Sequence, residues 1–98
     1  MPDELRPAIA KELTELVEGR LPEQLLLWVR EYSEGGATLV PQPEEIWSHP
    51  RTDVRKLDTG GYLVVVPLWT ADESPSDLSA EMMISPEGTM AINTVRIL

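Results

Sequence analysis

The chain contains no cysteine, which excludes disulfide frameworks and thiolate metal sites together. That suits a reducing cytoplasm, the compartment expected from the sequence. Histidine is nearly absent as well. His49 is the only one, and it stands beside Pro50 with no second imidazole or thiolate to complete a transition-metal site or serve a serine nucleophile. Long apolar runs are missing too. Leu25 to Val29 and Leu63 to Leu68 fall far short of the roughly 20 residues that cross a bilayer, so no membrane span is expected. The opening Met-Pro-Asp-Glu lacks the basic and apolar segments of an export signal.

Basic residues are scarce. Eight Lys and Arg stand against 17 Asp and Glu, leaving a net charge of −9. A field of that sign repels phosphate backbones and anionic lipid, so neither nucleic acid nor membrane is an expected partner. The charge is also uneven: from Leu57 onward six acids (Asp58, Asp72, Glu73, Asp77, Glu81 and Glu87) face one base, Arg96. Solubility alone accounts for such acidity; steering toward a basic partner is the sharper alternative.

What the chain does contain is a change of period along its 98 residues, a length suited to a single domain over 1–98. Leu5, Ile9, Leu13, Leu16 and Val17 recur at helical spacing with charged residues between them, and Gly19 is a natural stop. A second helix is expected from Pro22 to Tyr32, ended by Gly35-Gly36, so that residues 1–36 form a helical hairpin. Residues 37–52 read as a proline-rich connector. Thr38 to Pro43 is held extended by two prolines, and Pro43 to Trp47 can form one helical turn.

Residues 53–98 read as a β-meander. Val54 to Leu57 and Tyr62 to Trp69 flank Asp58-Thr59-Gly60-Gly61, a hairpin signal. Leu78 to Ile84 alternates, with Leu78, Ala80, Met82 and Ile84 on one side. Thr89 to Leu98 shows no clean side, and Tyr62 to Trp69 is apolar on both. The fold class is therefore α+β, a helical hairpin packed on a three- to four-stranded antiparallel meander. Pro67 marks an edge, a bulge or an unpaired position within its strand, which leaves a homodimer open.

No motif for chemistry emerges. The glycine pairs lack the lysine and helix of a phosphate loop, and no serine lies in a Gly-x-Ser-x-Gly elbow. Asp72, Glu73 and Asp77 lie close together but fit no EF-hand, and Asp77 can instead form an Asx-turn. No cofactor and no catalytic residue are expected. Trp69 adjoins those acids at a strand end, where a tryptophan is core or the aromatic anchor of an interface.

Several stretches carry a resemblance: Leu16-Val17-Glu18-Gly19, Thr38 to Pro43, Leu68-Trp69-Thr70-Ala71-Asp72-Glu73 with Ser76-Asp77-Leu78, and Val95-Arg96-Ile97-Leu98. With these the chain resembles an uncharacterised bacterial small-domain family, a domain of unknown function. Ser74-Pro75 here replaces the glycine and basic residue of the family pattern, so no role of that basic residue carries over. The resemblance implies no activity. The expectation is a non-enzymatic, acidic module in which Trp69, Asp72, Glu73 and Asp77 contact a basic protein, an immunity or inhibitor protein being the concrete form. Two alternatives stand beside it: a ligand-binding or enzymatic domain with an apolar pocket lined by Met82, Met83, Met90 and Trp69, and a self-associating structural subunit.

Overall fold

The helical spacing of the first segment translates into a buried stripe. In the computed structural model, which describes residues 3–20, 27, 29–31, 36 and 38–97, a 3-10 turn over Asp3–Leu5 leads into α1 (Arg6–Val17). Pro7 sits in the first turn, where its missing N–H costs nothing. The helix closes in a Schellman motif: Gly19, at φ +73°, donates to the Leu16 carbonyl at 3.1 Å, and Arg20 to the Glu15 carbonyl at 2.9 Å. Leu5, Ile9, Leu13 and Leu16 are buried on the face turned to the sheet. The second helix expected from Pro22 to Tyr32 lies for the most part outside the described residues, and the hairpin with it; Val29 is buried in the core.

Four strands follow: β1 (Asp53–Lys56), β2 (Tyr62–Pro67), β3 (Leu78–Ile84) and β4 (Met90–Ile97). They pair antiparallel in the order β1-β2-β3-β4, the expected meander. At the β1–β2 turn Leu57 and Gly61 bond across the neck at 2.8 Å. A Cβ on Gly61 would collide with the Ile84 carbonyl, so glycine is required there by close approach of the neighbouring strand.

Alternation decides which residues form the core. Leu78, Ala80, Met82 and Ile84 of β3 and Val64 and Val66 of β2 are buried against α1's stripe, joined by Ile46, Ile92 and Val95. On the other face Leu63 and Val65 are half-buried and Met83 is 44% exposed. The double-sided apolar character of β2 thus has two causes. One set fills the core, and the other covers an open face beside Asp53, Arg55, Glu81 and Arg96.

β4 lacked a clean side in the sequence because of a bulge. Glu81 pairs with Thr94 and Met82 with Ile92, so Asn93 is one residue too many. The extra residue reverses the alternation and brings Ile92 and Val95, three apart, to the same buried face. Pro67 falls at the end of β2, beyond Val65, the last residue paired with β1. It pairs with Ser79 of β3 on one side and has no β1 residue opposite on the other, so its missing N–H breaks no ladder with β1.

The adjacent methionines of β3 separate the two faces experimentally. Truncating Met82, fully buried, to alanine is expected to cost about 2–5 kcal/mol in urea unfolding. Met83→Ala is expected to stay within about 0.5 kcal/mol of the parent.

Candidate functional site

The segment that follows β2 forms no helix or strand of its own, so its shape rests on side chains and on single backbone bonds. Leu68 and Leu78 close its neck through a 2.9 Å bond from the Leu68 N–H to the Leu78 carbonyl. Ser76, fully buried, ties the neck twice more. Its hydroxyl donates to the Leu68 carbonyl at 2.8 Å and accepts from the Leu78 N–H at 3.1 Å. At the far end the Thr70 hydroxyl accepts from the Glu73 N–H at 3.1 Å, while the Thr70 N–H donates to the Glu73 carbonyl at 2.9 Å. Asp72, Glu73 and Asp77 are exposed on this framework. Residues 70–77 contain three acids and no base.

The connector supports the same segment from below. Leu39 bridges Thr70, and the Ala71 N–H reaches the Thr38 carbonyl at 2.9 Å. Because Pro41 and Pro43 can donate nothing, the side chain of Gln42 takes the place of a peptide group. Its Oε1 accepts from the Trp69 N–H at 2.8 Å, and its Nε2 donates to the Trp69 carbonyl at 3.0 Å and to the Val40 carbonyl. Further on, Thr52 donates its N–H to the His49 carbonyl at 2.9 Å, and the Arg51 N–H donates to His49 Nδ1 at 3.1 Å. This turn directs the Arg51 guanidinium at the Ser76 and Leu78 carbonyls and the Ser79 hydroxyl. His49 also meets the Trp69 ring edge-on, with centroids 5.6 Å apart.

The four residues singled out in the sequence therefore divide. Asp72, Glu73 and Asp77 share one exposed segment, whereas Trp69 is 7% exposed and lies beneath it in the core. Gln42, Arg51 and Ser76, which hold the segment, went unrecognised in the sequence. A glutamine between two prolines was the readable signal, since a polar side chain is the nearest substitute where the backbone lacks donors. Arg51 and Ser76 gave no comparable signal.

The methionines are not gathered around a pocket. Met82 is in the core, Met83 faces away from it, and Trp69 lies beyond the other end of β2. A cleft of about 290 Å³ opens elsewhere, between α1 and the connector, with Leu13, Val17, Pro41, Ile46 and Trp47 in its walls. Among the described residues no group of three or more His, Cys, Asp or Glu could hold a metal ion, and no helix is long and apolar enough to cross a membrane.

A family model described as "Domain of unknown function (DUF7668)" matches residues 4–98. The chain belongs to this family. Membership in DUF7668 agrees with the expectation of an uncharacterised family and brings no activity with it. No curated protein and no solved structure matches the chain.

Ser76 offers a direct check on how the segment is held. Ser76→Ala leaves the Leu78 N–H without its acceptor, while the Leu68 carbonyl keeps the Ser76 N–H at 2.9 Å. Thermal and urea unfolding should show a loss of about 1–3 kcal/mol.

Proposed function

We propose that this chain is a non-enzymatic module that binds a basic protein partner through the segment carrying Asp72, Glu73 and Asp77. The observation that supports this reading is the exposure of these acids on a backbone held by Thr70 and Ser76 from within and by Gln42 and Arg51 from outside. A segment fixed before binding loses little conformational freedom on association, so more of the electrostatic attraction survives as affinity. Trp69 and His49 form the floor of this surface, and the carboxylates make the contact. The negative charge of the whole chain adds long-range attraction that speeds encounter with a cationic surface. An immunity protein that neutralises a cationic toxin in a bacterial cytoplasm is the most concrete form of this reading.

A second reading draws on the cleft between α1 and the connector, whose volume of about 290 Å³ lies at the lower bound for a small-molecule site. An apolar ligand there would raise the melting temperature, and Ala10→Trp, at the cleft wall, would abolish that shift.

Affinity capture from a lysate, followed by rate measurements on the purified pair, tests the first reading. Association with the basic partner should slow about tenfold or more as salt is raised from low to several-fold physiological concentration. Asp72→Asn, Glu73→Gln and Asp77→Asn combined should reproduce most of that loss at low salt. Binding that ignores both the salt and the triple variant would refute the reading.

A further inference from the structure

β4 is the longest strand of the sheet and lies at its edge, so one side of its backbone has no ladder partner among the described residues. An open row of N–H and C=O groups is a template for another strand, and edges are commonly protected by charge, proline or shortness. β4 has none of these defences in strength. It runs eight residues, Met90–Ile97, without proline and with Arg96 as its one charge. Its bulge would ordinarily hinder pairing, because it breaks the alternation that an added strand must match.

Here the position of the bulge has the opposite effect. With Asn93 and Thr94 together opposite Glu81, residues Met90, Ile92, Val95 and Ile97 fall on the core side, and Ala91, Asn93, Thr94 and Arg96 on the open side. The order along the strand is in, out, in, out, out, in, out, in. It reads the same from either end. A second copy, antiparallel about a two-fold axis between Asn93 and Thr94, would set Met90 against Ile97, Ile92 against Val95, Ala91 against Arg96 and Asn93 against Thr94. Every position meets one on its own face. A regular strand of eight residues paired end to end would oppose every inward residue to an outward one.

We infer that β4 is the docking edge for a second copy of this chain, joining two four-stranded sheets into one continuous antiparallel sheet. The exposures fit this occupant. Ile97, on the core side, is 47% exposed and Met90 is half-buried, and the pairing sets each against the other's counterpart. The charges fit as well. Arg96 comes opposite Ala91, so no like charges meet across the edge. The remaining obstacle is the net charge of −9 on each copy, which salt screens. Self-association should therefore strengthen with salt, whereas binding of a basic partner weakens with it.

The test is sedimentation equilibrium of the full chain up to millimolar concentration, at low, physiological and high salt, with Ala91→Glu and Ala91→Arg beside the parent. Ala91 is exposed and would face Arg96 of the second copy twice in each dimer. The parent should dimerise more tightly at high salt. At physiological salt, where the exposed pairs still act, the Ala91→Glu dimer should have a dissociation constant roughly tenfold below that of Ala91→Arg, since one variant pairs opposite charges and the other like charges. A parent that stays monomeric at millimolar concentration, or equal dissociation constants for the two variants, would overturn the inference.

Discussion

Arg51 is half-buried, and the carbonyls of Ser76 and Leu78 and the hydroxyl of Ser79 receive its guanidinium. A cation that gives up part of its hydration among backbone carbonyls must find them in position, because hydrogen bonds from a charged donor offset that loss. The chain between these partners is long, 25 to 28 residues. Arg51 thus joins the end of the connector to the point where the acidic segment re-enters the sheet. Around that junction the other contacts fall into place: His49 accepts the Arg51 N–H, its ring meets Trp69, and Ser76 closes the neck beneath the exposed acids.

The connector does by side chains what regular structure does elsewhere by backbone. Two prolines prevent a continuous ladder beside Trp69, and the Gln42 amide supplies both a donor and an acceptor in its place. The consequence is a segment without repeating structure whose backbone is nonetheless bonded at Leu68, Thr70, Ala71, Glu73, Ser76 and Leu78. That is the property a binding surface needs if it is to hold one shape before its partner arrives.

How far the sequence announced this follows from the range of each interaction. Leu78, Ala80, Met82 and Ile84 were legible as a buried face because strand alternation is local, and the stripe Leu5, Ile9, Leu13, Leu16 because helical spacing is local. The hairpin at Asp58 to Gly61 was legible for the same reason. β4 was misread as having no clean side, because a bulge is set by the partner strand and leaves no mark that Asn93 alone could carry. In the site, the exposed acids could be named from composition. Trp69 could equally be core or anchor, since both uses place a tryptophan at a strand end, and it is core. Arg51 and Ser76 depend on contacts across more than two dozen residues or at the neck of a loop, where no periodicity points to them.

The surface bearing Asp72, Glu73 and Asp77 is held from the connector side, through Gln42 and Arg51. Native-state amide hydrogen exchange in Arg51→Ala, compared with the parent, tests this most directly. Removing a charged donor to the Ser76 and Leu78 carbonyls should lower protection at the Leu68, Ser76 and Leu78 amides by roughly ten- to a hundredfold, with the amides between β3 and β4 near the far turn little changed. Unchanged protection at those three amides would contradict the account, for the segment would then owe its shape to something other than Arg51.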